Sequence, residues 1–175
     1  SAAESRQTPA GISLTRQNLP QLEGAPIETA SRGGYVLVEN ADADITLVST
    51  GSEVSICCDA VVKLAERAIK ARIVSVPCFR EFDLQPYDYR ISVLPSGNPI
   101  MSVEAYSTFG WGVYSHVHHG INTFGVSAPY QKAYEKFQLT DHDVADKAQK
   151  VVEYYKKLGQ VPSPIAIQAA LELQQ

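Results

Sequence analysis

Apolar and polar positions alternate along the chain in blocks that predict strands and helices in turn. Two β-branched runs, Tyr35 to Glu39 and Ile45 to Ser49, flank a short polar turn, a pattern typical of an antiparallel hairpin. The next run, Ala71 to Pro77, has the apolar character of a buried strand. Apolar residues at helical spacing separate it from the second run, which predicts a right-handed crossover between two parallel strands.

The pattern further along the chain extends this sheet. Pro99 to Glu104 predicts another parallel strand, and Ile121 to Phe124 predicts a last short one. Helices are predicted at Gln85 to Leu94, at Pro129 to Phe137 and at Thr140 to Leu158. The pattern as a whole therefore predicts a three-layer α/β domain with a mixed sheet of about five strands, the first of them antiparallel.

Local signals mark the ends of the last long helix and a short helix after it. Thr140 and Asp143 have the spacing of a capping box, and Gly159 follows as a stop. In the tail, apolar residues recur at helical spacing from Ile165 to Leu173. We expect this segment to form a short helix that docks on this chain or on a partner copy.

The beginning of the chain has a different character. Gly11 to Leu14 predicts a short strand, whereas the glycines and proline between Gly24 and Gly34 favour a surface linker over any regular element. We place a domain boundary in this linker.

Composition and charge limit the classes of function. The 175 residues suit one domain with a fragment of a second, and the formal net charge of −4, without a block of basic residues, gives no reason to expect nucleic acid or a membrane as a partner. No apolar run approaches a bilayer span, and the first residues lack the apolar segment of a signal peptide, so we expect a cytoplasmic protein. We expect Cys57, Cys58 and Cys78 to be reduced structural thiols.

Two stretches are candidate anion sites. Arg16 follows the predicted Gly11 to Leu14 strand, where its planar guanidinium suits bidentate capture of a phosphate or carboxylate. Pairing with a nearby carboxylate would explain the same position. Thr50, Gly51, Ser52 and Glu53 follow a predicted parallel strand and open a helix, which is where open α/β sheets bind anions. A helix start with Ser52 as its N-cap explains these residues without a ligand, and we favour that interpretation.

Two further groups carry weaker signals. His116 and His118 would share one face of a strand and His119 the other, and no cysteine or carboxylate lies close enough in sequence to complete a metal shell. A packing or interface role is the favoured interpretation, and no metal site is predicted. Asp83 and Asp88 could be considered as an acid/base pair, but nothing in the sequence fixes their spacing or burial.

An ordered set of motifs gives the chain a resemblance to a known family. The motifs are TRQNLP (residues 15–20), ETASRGGYVL (28–37), STGSEV (49–54), IKARIVSVP (69–77), YRISVLP (89–95), IMSVE (100–104), WGVYSH (111–116) and GINTFG (120–125). In this order they resemble the C-terminal part of a yeast or fungal transketolase, over about residues 9 to 158.

The resemblance implies that the chain is a fragment of a longer, homodimeric, three-domain enzyme. Such enzymes use thiamine diphosphate with Mg²⁺ or Ca²⁺ to move a two-carbon ketol unit between sugar phosphates. Residues 1–25 would end the middle domain, residues 26–34 would be a linker, residues 35–160 would form the C-terminal domain, and residues 161–175 would be a tail. The chain lacks the G-D-G motif of the family's cofactor-binding domain, so no catalytic residue, cofactor or metal is expected in it. Arg16 matches the family's S-R-Q motif, with Thr15 for the serine, which implies that it contacts the substrate phosphate.

Two alternatives to a transketolase fragment remain open. The first is the equivalent module of dihydroxyacetone synthase, a similar enzyme whose acceptor is formaldehyde. The ending ELQQ, which is not a peroxisomal S-K-L signal, favours a transketolase over it. The second is a stand-alone assembly or binding module that responds to an anion at Thr50 to Glu53.

Overall fold

A mixed five-stranded sheet forms the centre of the described part of the molecule. The computed structural model describes residues 11–22 and 27–170. The strands are β1 (Tyr35–Val38), β2 (Ile45–Ser49), β3 (Ala71–Ser75), β4 (Ile100–Val103) and β5 (Val117–His119). They lie in the order β1-β3-β2-β4-β5, in which β2 to β5 are parallel and β1 runs antiparallel to β3. The predicted mixed sheet with an antiparallel first strand is therefore confirmed.

The predicted hairpin between the first two strands is wrong. β1 pairs with β3, with Tyr35 opposite Ser75, whereas β2 lies between β3 and β4. All five residues of β2 are buried, but those of β1 are half-buried or exposed. A strand that is buried on both faces belongs in the middle of a sheet, and a partly exposed one belongs at its edge. The short polar turn therefore connects two strands that are separated by β3.

Three further predictions fail at strands or at the linker. Ile121 to Phe124 is not a strand, because the last strand is β5, and Phe124 is 99 % exposed. Gly11 to Leu14 has no regular structure, and no described residue pairs with its backbone as a sheet partner would. In the predicted linker, Ile27–Ala30 forms a one-turn helix, α1, stabilised by a local hydrogen bond from the Ser31 amide to the Ile27 carbonyl at 3.1 Å.

Six further α-helices and one 3₁₀ turn surround the sheet in the described residues. The helices are α2 (Glu53–Glu66), α3 (Phe79–Asp83), α4 (Tyr87–Val93), α5 (Tyr130–Lys136), α6 (Asp141–Tyr155) and α7 (Pro164–Ala170), and the 3₁₀ turn is Trp111–Val113. The predicted helices near residues 85–94, 129–137 and 140–158 are thereby confirmed.

Alternate side chains of the strands enter two cores, one on each face of the sheet. Leu47 lies in the core that also contains residues of α2 and α6, and its neighbour Val48 lies in the core on the other face. That second core includes Phe82 of α3 and Trp111 of the 3₁₀ turn. Since successive residues of a strand point to opposite faces, the sheet is the middle of three layers, as predicted.

Helix α6 begins with the predicted capping box. The Asp143 amide donates to Thr140 Oγ1 at 3.3 Å, and the Thr140 amide donates to Asp143 Oδ2 at 3.3 Å. The helix ends at Tyr155, and the chain turns away at Gly159, whose φ of +81° is readily adopted only by glycine. Leu158 therefore lies beyond the helix and is exposed.

The predicted tail helix packs on this chain. It covers Pro164–Ala170, and residues 171–173 of the prediction lie outside the described residues. Ile165 is 1 % exposed and belongs to the core that contains Trp111. The Ser163 amide donates to Ser96 Oγ at 2.8 Å, which holds the approach to the helix against the loop after α4. Burial of Ile165 therefore makes the tail part of the folded domain.

We expect Ile165→Ala to lower the free energy of unfolding by about 2 to 5 kcal/mol, because it leaves a cavity in a closed core. Ile167→Ala is the matched control, since Ile167 is 42 % exposed on the same helix and its truncation should cost less than about 1 kcal/mol. Denaturant unfolding of both variants measures the difference. Equal midpoints for Ile165→Ala and the wild type would show that the tail helix is not docked.

Candidate functional site

The site lies where the chain changes direction across the sheet. After β2 the chain goes to β3 on one side, and after β3 it returns to β4 on the other. In open α/β sheets the carboxyl ends of two such strands form the crevice in which ligands bind. Here the segment from Thr50 to Glu53 follows β2, and Glu104 follows β4. We therefore treat this edge of the sheet as the candidate site.

Two buried carboxylates meet at this edge. Glu53 is 4 % exposed and Glu104 is 7 % exposed. The hydroxyl of Tyr134, on α5, donates to Glu53 Oε1, and the Ser52 hydroxyl donates to the same oxygen at 2.9 Å. The carboxylate of Glu104 accepts from the amide of Ala105 and hydrogen bonds to Glu53. No Lys or Arg among the described residues forms an ion pair with either carboxylate.

This environment keeps a proton on the pair near neutral pH. Burial, followed by the charge of Glu53 and a hydrogen bond to it, raises the pKa of Glu104 from 4.5 to about 7. Burial and the hydrogen bond to Glu53 also raise the pKa of Tyr134 to about 12. Because two carboxylates in contact cannot both ionise cheaply, Glu104 holds the proton and donates it toward Glu53. Sequence reasoning missed this pair, although Glu104 ends one predicted parallel strand and Glu53 lies in the segment that follows another.

The predicted anion site at Thr50 to Glu53 adopts the geometry of a helix start. Gly51 has a φ of +57°, and Ser52 stands at the N-cap of α2. Ser52 makes no side-chain capping bond, because its hydroxyl donates to the Glu53 carboxylate instead. An anion bound here would meet the charge of Glu53 at once, so the helix-start interpretation remains the stronger one. Anion binding at this loop stays a prediction.

The structure brings the segment after Arg16 to the same helix start. Gln17 and Pro20 line a cavity of about 410 Å³ together with Ser52 of the Thr50 to Glu53 segment and Tyr134 of α5. Arg16 itself is exposed, and no described acid forms an ion pair with it. Two candidates that are far apart in sequence therefore lie near one cavity. The proposed phosphate contact of Arg16 stays a prediction.

The three clustered histidines hydrogen-bond to neighbouring parts of the domain. The Ile100 amide donates to His116 Nδ1 at 3.0 Å, so the other ring nitrogen carries the proton and donates to the Pro162 carbonyl at 2.9 Å. His118 Nδ1 lies 2.9 Å from Ser115 Oγ, and His119 Nε2 donates to the Gln138 carbonyl at 2.6 Å. Within residues 11–22 and 27–170, no group of three or more His, Cys, Asp or Glu side chains could hold a metal ion.

Among the described residues, the two aspartates considered as an acid/base pair are not in contact, and the cysteines form no site. Asp83 accepts a hydrogen bond from the Tyr114 hydroxyl at 2.8 Å, and no described contact joins it to the exposed Asp88. The three cysteines are free thiols as predicted, and burial raises the pKa of Cys57 well above its usual range. Cys57 is therefore not a ready nucleophile.

A family model, full-length relatives and solved structures all match this chain. Residues 33–140 match the family model of the transketolase-like TK C-terminal domain. A probable transketolase of Schizosaccharomyces pombe is 53 % identical over 166 residues, which cover 94 % of this chain and 24 % of that protein. A crystal structure of Pichia stipitis transketolase in complex with sedoheptulose 7-phosphate matches with a TM-score of 0.84 and 51 % identity, over 86 % of this chain and 22 % of that one. Dihydroxyacetone synthase of Candida boidinii is 40 % identical over 83 % of this chain and 21 % of that protein.

The fold and the matched segment define a C-terminal domain of the transketolase-like class. The chain belongs to the transketolase family, and it spans about a quarter of the length of the relatives it matches. No helix among the described residues has both the length and the apolar character needed to cross a membrane.

The carboxylate pair gives the domain a pH-dependent stability. The fold raises the pKa of Glu104 from 4.5 to about 7. At low pH the group is protonated in both the folded and the unfolded state, so it does not change the free energy of unfolding. As the pH rises from about 4.5 through about 7, the unfolded state loses this proton first, and the free energy of unfolding falls. We expect Glu104→Gln to raise the free energy of unfolding at pH 8 by on the order of 1 to 3 kcal/mol, and the gain should shrink toward pH 5.

Thermal unfolding between pH 5 and pH 8 tests this expectation. Glu66→Gln, at the exposed far end of α2, is the control for the loss of one carboxylate. A Glu104→Gln protein whose stability follows the wild-type pH profile would contradict the shared proton.

Proposed function

We propose that this chain works as the C-terminal domain of a transketolase, which transfers a two-carbon ketol unit between sugar phosphates. The observation that carries the proposal is the match of residues 33–140 to the family's C-terminal domain, together with about 50 % identity to yeast transketolases over most of the chain. In this proposal the chain alone is not catalytic. The rest of the enzyme supplies the reacting groups. The C-terminal domain contributes structure, and the segment that precedes it in this chain contributes one arginine, Arg16.

The candidate site supports a structural role for the domain. At the carboxyl ends of β2 and β4, Glu53 and Glu104 bond to each other and to Tyr134. These polar groups are thus satisfied from within the domain, without a bound ligand.

Arg16 is the proposed contact with the substrate phosphate. Its side chain is exposed, and the ion pairs of the described residues leave it without an acid partner. Gln17, the next residue, lines the cavity of about 410 Å³. A guanidinium that keeps its donors available suits the planar, bidentate recognition of a phosphate. The sugar phosphate bound by the Pichia stipitis enzyme is of the class that such a contact would hold.

The cofactors of the proposed enzyme belong outside this chain. Thiamine diphosphate with Mg²⁺ or Ca²⁺ would supply the ketol-transfer chemistry in the intact parent. The described residues do not fit the metal, because they offer no cluster of three or more ligating side chains. We therefore assign no residue of this chain to the cofactor.

The proposed partners are the remaining domains of a cytoplasmic homodimeric parent. Large apolar side chains follow β4 and β5 without a covering element in the described structure: Tyr106, Phe109 and Phe124 are 77 %, 95 % and 99 % exposed. Ile121, between these loops, donates its amide to the Tyr106 carbonyl at 2.9 Å, so the two loops are held together. An ordered aromatic surface of this kind supports contact with another domain or subunit.

Of the two alternatives raised by the sequence, the dihydroxyacetone synthase module remains a candidate and the stand-alone module is disfavoured. The match to dihydroxyacetone synthase keeps that enzyme as the second candidate for the parent, at lower identity than the yeast transketolases. A stand-alone module that responds to an anion at Thr50 to Glu53 is disfavoured, because the buried Glu53 carboxylate would repel the anion.

We expect the isolated chain neither to bind thiamine diphosphate appreciably nor to transfer ketol units. A single charge-assisted contact contributes about 1.5 to 3 kcal/mol, whereas even millimolar affinity needs about 4 kcal/mol. Arg16 therefore cannot hold a sugar phosphate by itself. Calorimetric titration with the cofactor and with fructose 6-phosphate, and an assay of ketol transfer, measure both properties. Tight cofactor binding by this chain would contradict the proposal that the rest of the parent enzyme binds the cofactor.

In the intact parent we expect Arg16→Ala to raise KM for phosphorylated substrates about ten- to a hundredfold, because one charged contact is lost. Unphosphorylated substrates should be nearly unaffected. Arg80→Ala, which removes an exposed arginine from α3, is the control and should change neither. Equal losses on both kinds of substrate would contradict the phosphate contact without affecting the family assignment.

A further inference from the structure

A second cavity lies along the edge strand of the sheet, apart from the candidate site. It has a volume of about 600 Å³ and opens between β5 and one face of helix α6. Val117 and His119 of β5 form one wall, and residues from Asp143 to Tyr155 of α6 form the other. Within the described residues, β5 pairs with β4 alone, so its outer edge borders the cavity. The volume falls in the range of about 300 to 1,000 Å³ that small-molecule sites occupy.

The acids of this cavity are bound to partners of their own. Asp146 Oδ1 lies 2.7 Å from Arg67 Nη2, at the end of α2. Asp143 Oδ2 accepts from the Thr140 hydroxyl at 2.6 Å and from the Thr140 amide, as part of the capping box. Each acid stands four residues before a lysine, Lys147 or Lys150, which is the spacing of a helical ion pair. Neither carboxylate forms an ion pair with its lysine among the described residues, although Asp146 and Lys150 attract each other electrostatically over a longer distance.

Neither of the two lysines therefore forms an ion pair among the described residues. No ion pair or hydrogen bond of the Lys147 or Lys150 ammonium group occurs in the part of the chain that the structure describes. Three residues apart on one helix, they place two like charges on the same face, with Cβ atoms about 5 to 6 Å from each other. Such a pair repels, and a dianion between the ammonium groups would relieve the repulsion.

The other wall of the cavity does not neutralise this charge. His119 donates its Nε2 proton to the Gln138 carbonyl, and burial, together with the charge of Lys147, lowers the pKa of His119. Burial and the charges of His116 and Lys147 likewise lower the pKa of His118. Both rings are therefore neutral at physiological pH, so the charged groups of the lining are the two lysines and the carboxylates of Asp143 and Asp146, of which Asp146 is paired with Arg67.

The rest of the lining is apolar or aromatic. Val117 and Val151 line the cavity, and the rings of Tyr154 and Tyr155 meet edge to face with centroids 5.3 Å apart. Tyr154 is 60 % exposed, so its hydroxyl can be reached from solvent. An apolar surface beside a paired cationic group suits a ligand with a flat or apolar body and one doubly charged end.

We propose that the cavity between β5 and α6 binds a small organic phosphate monoester. The phosphate lies between the ammonium groups of Lys147 and Lys150, and the organic body packs on Val117, Val151 and Tyr155. A phosphate monoester carries a charge of about −1.5 to −2 at pH 7, which matches two lysines better than a single carboxylate does. The site is separate from Arg16 and independent of the proposed ketol transfer.

Amide NMR titration of this chain with phenyl phosphate tests the proposal. We expect saturable shifts centred on Val117, His119 and Val151, with a dissociation constant in the millimolar range. Lys147→Gln combined with Lys150→Gln should weaken binding about a hundredfold, roughly tenfold for each charged contact. The matched control, Lys136→Gln combined with Lys157→Gln, removes two exposed lysines outside the cavity and should bind as the wild type does.

Two smaller ligands test the phosphate contact and the apolar contact separately. Inorganic phosphate should bind at the same lysines about tenfold more weakly than phenyl phosphate, because it lacks the apolar body. Phenol should produce no saturable shifts. Equal weakening by the two double variants, shifts centred elsewhere, or linear shifts without saturation would overturn the proposal. Equal affinity for inorganic and phenyl phosphate would overturn the assignment of the apolar wall.

Discussion

The complete burial of β2 is the constraint on which the rest of the structure depends. Its five residues are buried on both faces, and it pairs in parallel with β3 on one side and β4 on the other. Each parallel neighbour requires a crossover through a helical layer, so both faces of the sheet are covered. With both edges of β2 occupied, β1 is left to the far side of β3. The same arrangement brings the carboxyl ends of β2 and β4 together.

The buried carboxylates at that junction are a consequence of this topology. Glu53 and Glu104 each follow a central strand, and the polar groups around them leave one proton to be shared. An unpaired buried charge is costly, whereas a hydrogen-bonded acid and carboxylate satisfy each other. Tyr134 extends this network to α5, so the region beyond β5 is tied to the centre of the sheet. The domain therefore stabilises, with its own side chains, the edge at which related architectures bind ligands.

Arginines at different depths of the molecule have different roles because their partners differ. Arg72 is buried on β3, where it pairs with Glu39 at 3.0 Å and donates to the carbonyls of Ser92 and Val93. Arg67 binds Asp146 at 2.7 Å, whereas Arg16 remains exposed and forms no ion pair among the described residues. A positively charged side chain is structural where acids and carbonyls surround it, and it is available to a ligand where they do not.

The sequence by itself determined four of the five strands, the longer helices, the layered fold and the family. Helical and strand periodicities, the Thr140 and Asp143 capping box and the ordered motifs are local signals, and each is legible without knowledge of distant contacts. Periodicity does not say which strand lies next to which, so the pairing of β1 with β3 was decided by burial in the folded sheet. The contact of Glu53 with Glu104 and the ion pair of Arg67 with Asp146 join residues that are far apart in the chain. Only the tertiary structure could decide these contacts, because pKa values and ion pairs depend on distances that sequence spacing does not fix.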